Sequence, residues 1–438
     1  MMKTPPSEVH DALRRSMLVD GLPLVFDPEG CRGSRLRDGA SGREFIDFFG
    51  FFASLPVGFN HPHLTDREWV SHLGRWAVHK PSNSDVYSAP FADFVRIFEE
   101  VALPAEMKHL FFISGGALAV ENALKVAFDW KTRRNRAQGI DRDGDRVIHL
   151  RDAFHGRSGY TLSLTNTDPV KTDLFPKFDW PRVLNPWCAF PLEGENLDRT
   201  IERERESLAA IEGILREDAQ SVACILLEPI QCEGGDHHFR GEYLQGLRKL
   251  AEEHDVLLVF DEVQTGLGIT GEMWCYQHFG TAPDLLAFGK KTQVCGVMAG
   301  ARIDEVKENV FAVSSRINST WGGNLVDMIR ATRILEIYRD EDILGNARAR
   351  GEQLRTGLAR LAADFPGRIE MVRGRGLLVA FDTQNTADRD RLIADAFERG
   401  LLLLSCGPRS VRFRPVLDID EGTIEEGLAL LEQVLQRV

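Results

Sequence analysis

The sequence predicts an α/β protein with two parts: a large domain built on a mainly parallel sheet, and a small α+β domain at the C-terminal end. Two observations predict this fold class. Between about residues 111 and 300, short apolar runs alternate with helical patterns, and the runs are continuously apolar, as is typical of strands buried on both faces of a parallel sheet. After Gly323 the pattern changes to two long helices, several strands and a closing helix, which indicates a separate unit.

Residues 25–57 are rich in Gly, Phe and the turn signals DPEG and RDGASG, which favours short strands and loops over helix. The predicted central strands are the five apolar runs HLFFIS, DRVIHL, VACILLEP, VLLVFDE and PDLLAFGK. An amphipathic pattern from Glu242 to His254 predicts one of the helices between them.

The C-terminal unit begins with two helical patterns, NLVDMIRATRILEIYRDEDI and RGEQLRTGLARLAADF. Strands are expected at IEMV, LLVAF, LLLLS and VRFRP, and an amphipathic helix from Thr423 to Arg437 closes the chain. We therefore expect an N-terminal arm with part of the small domain at 1–75, the large domain at 76–325 and the C-terminal small domain at 326–438.

Length and composition are those of an enzyme-sized globular chain. The 438 residues suffice for two or three domains at roughly 150 residues each. The 53 Lys+Arg and 66 Asp+Glu give a formal net charge of −13, so neither nucleic acid nor an anionic membrane is an expected partner. No stretch approaches the roughly 18 apolar residues of a membrane span. Seven scattered cysteines without a CxxC pair fit reduced thiols, which predicts a cytoplasmic protein.

Polar residues directly after the apolar runs are the first candidates for a site, because ligands of open α/β sheets bind beyond the carboxyl ends of the strands. Residues 114–117 (SGGA) form a Gly-rich turn between a strand and a helix, which favours a phosphate. Asp261 follows one run and Lys290 with Lys291 follows the next. A phosphate cradle, an acid for a pyridine nitrogen and a Schiff-base lysine are together what pyridoxal 5'-phosphate (PLP) requires. Taken alone, Lys290 could be a surface lysine and Asp261 a helix cap.

Five motifs in order give the chain its resemblance to a known family: AFHGRSGYT at 153–161, LEPIQCEGG at 227–235, FDEVQTGLGITG at 260–271, PDLLAFGKK at 283–291 and RGRGLLVAF at 373–381. The chain resembles the class III (omega) aminotransferases, which have the aspartate-aminotransferase fold, also called PLP-dependent fold type I. Within that family, SGGALAVENALK, GKKTQVCGVMAG and NSTWGGN are similar to the L-lysine 6-aminotransferases. The implied substrates are L-lysine and 2-oxoglutarate, and the nearest alternative is another omega-amine such as ornithine, 4-aminobutyrate or a diamine.

The resemblance assigns the cofactor contacts. It makes Lys290 the Schiff-base lysine, which then moves the reaction's proton as general acid and base. It pairs Asp261 with the pyridinium nitrogen, whose positive charge makes the ring an electron sink. Further cofactor contacts are implied for Gln264 at the phenolic oxygen, Phe154 on the ring face, the adjacent His155, Gly116 and Ala117 at the phosphate and, across the interface of an obligate homodimer, Thr320 of the partner subunit.

The resemblance also implies how one pocket serves two unlike substrates. Arg412 would pair with Glu233 while lysine is bound, and would be released to bind the α-carboxylate of 2-oxoglutarate. Arg157 would anchor the distal carboxylate of either substrate. Two neighbours leave this assignment open, because Arg414 lies on the same strand face as Arg412, and Glu228 is close to Glu233 in sequence.

The sequence departs from the family pattern at two places. The usual SGSEA-type phosphate loop is SGGALA here, and Ile269 stands where most relatives have Arg.

A nicotinamide-dependent oxidoreductase would fit the α/β pattern, but the glycines of RGRGLL precede a strand instead of opening a helix. A cofactor-binding regulator without turnover is disfavoured by the complete set of lysine, acid and arginines. The His pairs at 61/63 and 237/238 lack a ligand set at zinc spacing, so no metal is expected.

Overall fold

The computed structural model describes residues 4–437. Its strands are β1 (Arg35–Arg37), β2 (Glu44–Asp47), β3 (Met107–Ile113), β4 (Arg146–Leu150), β5 (Arg182–Val183), β6 (Val222–Leu227), β7 (Ile230–Gln231), β8 (His237–His238), β9 (Leu257–Glu262), β10 (Leu285–Phe288), β11 (Cys295–Gly300), β12 (Glu370–Arg375), β13 (Leu378–Asp382), β14 (Leu401–Leu402), β15 (Leu404–Cys406) and β16 (Ser410–Phe413). Its α-helices are α1 (Val9–Arg14), α2 (Gly50–Ala53), α3 (Pro62–Thr65), α4 (Arg67–Ala77), α5 (Ala89–Val101), α6 (Gly116–Ala137), α7 (Gly159–Leu164), α8 (Gly194–Asp218), α9 (Gly241–Glu253), α10 (Leu325–Asp340), α11 (Ile343–Asp364), α12 (Thr386–Glu398) and α13 (Glu421–Leu435). The short element α2 is a single turn in which all four residues have positive φ.

The central sheet has seven strands in the order β3-β11-β10-β9-β6-β4-β5. Strands β10, β9, β6, β4 and β5 are parallel to one another. Strand β11 is antiparallel to both of its neighbours, β10 and β3. The mainly parallel sheet that the continuous apolar runs predict is therefore confirmed.

Both faces of this sheet are buried, and successive residues of a strand enter different cores. Leu257 and Val259 of β9 belong to the core that α6 covers, whereas Leu258 and Phe260 belong to the core that α9 covers. Because side chains alternate along a strand, a strand with two buried faces must be apolar at every position. This alternation explains why the central runs are apolar throughout.

The C-terminal part is built around a four-stranded antiparallel sheet in the order β12-β13-β16-β15. Helix α11 packs on this sheet, and α13 packs against α11 and α12. The N-terminal strand β2 runs parallel to β14 and antiparallel to β1, so the beginning of the chain joins the C-terminal part in a three-stranded sheet.

Three of the elements that differ from the sequence prediction have a clear physical reason. Strand β11 is not predicted, because glycines interrupt its apolar run. A Cβ at Gly296 would lie 2.2 Å from the Phe111 carbonyl oxygen, so this glycine permits the close approach of β3. Helix α12 is also not predicted, because only Leu392 and Ala396 of it are buried and its apolar stripe is narrow. The predicted strand LLLLS is split at Leu403, where the chain passes from one sheet to another.

None of the helices within residues 4–437 combines the length and the apolar character that crossing a membrane requires.

Candidate active site

The ends of β9 and β10 bring an acid and an amine together. Asp261 of β9 pairs in register with Ala287 of β10, and Lys290 lies shortly beyond the end of β10. Lys290 has φ +52°, a conformation that is unusual for a non-glycine residue and that folded proteins often hold at functional sites. Burial, and after it the positive charge of Arg412, lowers the pKa of the Lys290 amine. A lower pKa favours the neutral amine, which is the form that acts as a nucleophile or a base.

The Asp261 carboxylate is buried and held by two hydrogen bonds. His155 Nδ1 donates to Oδ2 at 2.8 Å, and the Val263 backbone N–H donates to Oδ1 at 3.1 Å. The His155 side chain is fully buried, and its Nε2 has no hydrogen-bond partner within residues 4–437. The site therefore contains a carboxylate of fixed orientation.

The turn between β3 and α6 has the properties of an anion site. Gly115 precedes the helix with φ +104°, and no side chain of residues 4–437 caps the helix N-terminus. The first amides of α6, including those of Gly116 and Ala117, are therefore available for an anion. The segment that carries His155 lies directly against this turn, because a Cβ at Gly156 would be 2.4 Å from the Cβ of Ala117.

Cys295, the first residue of β11, connects this turn to Lys290. Burial raises the pKa of the Cys295 thiol, and the backbone amides of Gly115 and Lys290 oppose that rise by hydrogen bonding. One side chain thus faces both the glycine turn and the backbone of the lysine, which places these two predicted parts of the site next to each other.

An ion pair between Glu233 and Arg412 lies beside Gln264. Arg412 Nη2 is 3.1 Å from Glu233 Oε2, and Arg412 Nη1 donates to Gln264 Oε1 at 3.2 Å. The Arg412 side chain is 3% exposed and that of Glu233 is 24% exposed. Arg412 Nε has no hydrogen-bond partner in the described part of the chain. The described residues therefore leave one buried donor of this guanidinium unsatisfied.

Arg414, the neighbour that the sequence could not separate from Arg412, has a structural partner. Its Nη2 lies 2.5 Å from Asp236 Oδ1, and both side chains are fully buried. Its Nε donates to Gln264 Oε1 at 3.3 Å, so Gln264 accepts from both arginines. Asp236 thus holds Arg414 in the core, and Arg412 is the arginine that pairs with a partly exposed acid.

Glu228 likewise has a structural position. Its two carboxylate oxygens accept the backbone N–H groups of Phe154, at 2.9 Å, and Cys232, at 3.2 Å. Burial, and after it the charge of Asp261, raises the pKa of Glu228 well above its usual value. Glu228 therefore fastens the Phe154 segment to the loop that carries Glu233.

Lys171 is a site residue that the sequence did not reveal. Its Nζ lies 2.5 Å from Glu233 Oε1 and 5.8 Å from the centre of the Phe154 ring. Lys171 ends the short 3₁₀ helix Pro169–Lys171, in a loop without a recognisable motif, and it is 62 positions from Glu233 in the chain. The contact depends on how two loops pack, so no local pattern could have predicted it.

Two of the predicted residues do not join this cluster. Arg157 is exposed and forms no hydrogen bond or ion pair with any residue that the structure describes. Thr320 is also exposed, and its carbonyl oxygen accepts a hydrogen bond from Ser82 Oγ at 2.6 Å. The roles given to both residues stay predictions.

Ile269 belongs to the core. It is fully buried, and its carbonyl oxygen accepts the Leu377 backbone N–H at 2.8 Å. A Cβ at Gly376 would lie 2.6 Å from that same oxygen. Ile269 therefore packs the loop after β9 against the turn between β12 and β13.

These groups fit PLP. The cofactor has a phosphate, a pyridine nitrogen and a carbonyl, and it requires an anion site, an acid and an amine. The uncapped N-terminus of α6 supplies the first, the buried Asp261 the second, and Lys290 the third. The unpartnered Nε2 of His155 is a further polar atom for which the described residues offer no partner.

Comparison with known proteins points to one family. The model of the class-III aminotransferases matches residues 19–435. The L-lysine-epsilon aminotransferase of Mycobacterium tuberculosis is 52% identical over 434 residues, which cover 99% of this chain and 96% of the relative. The enzyme of the same name from Streptomyces clavuligerus is 49% identical over 432 residues, with coverage of 97% and 93%. A solved structure of lysine aminotransferase from M. tuberculosis matches with a TM-score of 0.96 at 52% identity, covering 99% of each chain.

Proposed function

The chain belongs to the class-III aminotransferases, and from this premise we propose that it transfers the ε-amino group of L-lysine to 2-oxoglutarate. L-Lysine would give 2-aminoadipate 6-semialdehyde, which cyclises to piperideine-6-carboxylate, and 2-oxoglutarate would give L-glutamate. The predicted family and PLP-dependent fold type I are confirmed by the family match and the solved structure, so the enzyme is PLP-dependent. The high identity to L-lysine-epsilon aminotransferases over almost the whole chain supports the choice of amine donor.

The observation that most directly supports this pair of substrates is the ion pair of the buried Arg412 with the partly exposed Glu233. Lysine reacts through an amine far from its carboxylate, whereas 2-oxoglutarate reacts next to one. A single pocket therefore needs a cation that is masked for the first substrate and free for the second. A buried arginine left without a partner is costly, so an exchangeable glutamate is a physically reasonable mask. Arg157 would bind the distal carboxylate.

The residues around the cofactor would each have a separate role in the reaction. PLP, when bound, supplies a carbonyl that combines with the amine and a ring that withdraws electrons from the reacting carbon. Lys290 Nζ would carry the proton that leaves the substrate carbon bearing the reacting nitrogen. Asp261, oriented by His155, would keep the pyridine nitrogen protonated. Gln264 would hydrogen-bond the phenolic oxygen, and Phe154 would cover the ring face.

We extend the proposal to a homodimer, in which Thr320 of the partner subunit completes the phosphate site begun by Gly116 and Ala117. Thr320 is exposed in the single chain, and the adjacent Trp321 is 44% exposed. Further large apolar side chains are exposed elsewhere, among them Tyr87 and Leu174. A contact with a second copy would cover apolar side chains of this kind. The seven free cysteines support a cytoplasmic location.

The test uses purified holoenzyme, 2-oxoglutarate and L-lysine labelled with nitrogen-15 only at the ε-amine. Mass spectrometry of the products should show labelled glutamate together with the cyclised semialdehyde. Unlabelled glutamate would mean that the α-amine is transferred and would contradict the proposed orientation. Absence of glutamate would reject lysine as donor, and ornithine and 4-aminobutyrate would then be assayed in the same way.

A further inference from the structure

We propose that Lys171 is a positioning residue that receives the Glu233 carboxylate when it leaves Arg412, and so determines how readily 2-oxoglutarate is bound. This inference rests on the proposed function, since it concerns the exchange between the two substrates. The observation that carries it is one carboxylate shared by two cations. Glu233 Oε1 faces Lys171 Nζ, and Glu233 Oε2 faces Arg412 Nη2.

The geometry identifies Glu233 as the member of this triad that moves. Arg412 is held by Gln264 and is almost fully buried, so its guanidinium has little freedom. The Glu233 side chain is 24% exposed, and its oxygens accept only from these two cations within the described residues. The Glu233 carbonyl oxygen accepts the Gly407 backbone N–H at 2.9 Å, which fixes its main chain. Unmasking of Arg412 is therefore a movement of the Glu233 side chain alone.

Lys171 is placed to receive that side chain. The Asp168 carboxylate accepts the Val170 backbone N–H at 3.0 Å, and the Lys171 backbone N–H donates to the Asp168 carbonyl at 3.1 Å. These bonds hold the turn that carries Lys171. Its side chain is 25% exposed, so it can follow a carboxylate toward solvent. Glu233 can therefore release Arg412 while keeping an ion pair.

Arg412 has two states: it is masked when it pairs with Glu233 and unmasked when Glu233 has left it. A ligand that binds only the unmasked state is weakened by the fraction of molecules that are masked. In the masked state the Glu233 carboxylate is divided between two mutually repelling cations, whereas in the unmasked state its whole charge pairs with Lys171. Lys171 therefore stabilises the unmasked state more than the masked one, and its loss would favour the masked state. Binding of 2-oxoglutarate should then weaken, whereas binding of lysine, which uses the masked state, should not.

The experiment compares the Lys171→Met holoenzyme with the wild type in separately measured half-reactions, followed by cofactor absorbance. The apparent dissociation constant for 2-oxoglutarate should rise about fivefold, the factor that corresponds to ~1 kcal/mol for a partly exposed ion pair. The limiting rate with 2-oxoglutarate should stay within about twofold of the wild-type value, and so should the limiting rate and the apparent dissociation constant for lysine. Calorimetric binding of glutarate, an unreactive dicarboxylate, should weaken by the same factor.

Controls separate this role from a structural one. Lys171→Arg should restore the wild-type constants, and Lys249→Met, which removes an exposed lysine on α9, should leave them unchanged. In a Glu233→Ala background, Lys171→Met should have no further effect, because the residue acts through that carboxylate. Equal loss in both half-reactions, or an undiminished effect without Glu233, would overturn the inference. Failure of the wild type to convert lysine at all would instead reject the proposed function.

Discussion

The candidate site has two carboxylates in contrasting surroundings. The Asp261–His155 pair is almost completely buried, with side-chain exposures of 5% and 0%. The Glu233–Lys171 pair is about one quarter exposed at both members. The first carboxylate is fixed by a neutral backbone amide and a buried ring, and the second is shared between two cations. We infer that the buried pair serves a constant partner, the cofactor, whereas the exposed pair serves substrates that alternate.

This difference follows from the positions of the two carboxylates in the fold. Asp261 belongs to a central strand with covered faces, where packing is dense and side chains cannot move independently. Glu233 lies on the loop between β7 and β8, and Lys171 lies on a loop after α7. Loops carry the adjustable parts of a site because few neighbours restrain their side chains. Substitutions on the buried side should therefore damage every reaction, and those on the exposed side should change selectivity.

The largest effect is expected at Lys290. Lys290→Ala removes the amine that we propose holds the cofactor and moves the proton, so turnover should fall at least about a thousandfold. Borohydride reduction of the wild type followed by peptide mass spectrometry should find the cofactor on this lysine. Lys291→Met is the matched control, because Lys291 Nζ donates to the Leu55 carbonyl at 3.0 Å and has no proposed part in the reaction. Comparable loss in both variants would contradict the assignment.

A somewhat smaller effect is expected at Asp261. Asp261→Asn keeps the shape of the side chain but removes the charge that we propose holds a proton on the pyridine nitrogen, so kcat should fall about a hundredfold with either substrate. The cofactor content, measured by absorbance, should remain close to that of the wild type. A fully loaded variant with wild-type kcat would show that this carboxylate is not the electronic partner of the ring.

The same comparison explains which parts were predictable from sequence. Asp261 and Lys290 directly follow apolar runs, and strand ends can be located from local pattern alone. The resemblance then supplied their roles. The partner of Glu233 on the loop side could not be found in this way, because Lys171 reaches it only through the packing of two loops.

The fold shows the same limit. The parallel strands were predictable because burial on both faces leaves a continuous apolar run. Strand β11 was not, because Gly296 is required by the close approach of Phe111 and weakens the apolar pattern that would identify a strand. The split at Leu403 was also hidden, because it depends on which strands pair with its two flanks.

On the exposed side, Glu233→Ala should change selectivity more than overall rate. Arg412, permanently unmasked, would attract the α-carboxylate of lysine and bring the wrong amine toward the reacting position. The rate constant of the lysine half-reaction should fall about tenfold, or about 1.4 kcal/mol, while that of 2-oxoglutarate changes little. Lysine labelled at the ε-nitrogen should give an increased share of unlabelled glutamate. Glu253→Ala, at an exposed position of α9, is the control, and equal loss in the two half-reactions would refute the exchange.

The last prediction concerns stability and has no expected effect on rate, and it tests the cost of burying charge beside the fixed side of the site. Asp47 is fully buried near Lys291, and its Oδ1 accepts the backbone N–H groups of Phe49 and Gly50, both at 2.8 Å. Its Oδ2 has no partner within residues 4–437. Burial raises the pKa of Asp47 from 3.8 to about 6. The protonated carboxyl is thus favoured in the folded state, so its stabilising contribution is present below pH 3.8 and is lost as the pH rises through about 6.

Asp47→Asn removes this titration while keeping an oxygen for both amides. The variant should therefore be more stable than the wild type at about pH 7.5, by up to about 3 kcal/mol, and the difference should fall to about half of that at about pH 5. Urea unfolding of both proteins at the two pH values measures this difference in the free energy of unfolding, and Asp141→Asn is a control at an exposed position. Two outcomes would show that the folded protein compensates the Asp47 charge: a variant that is less stable than the wild type at the higher pH, or a stability difference that is no smaller at the lower pH. The contrast between the fixed and adjustable sides would then not extend to this carboxylate.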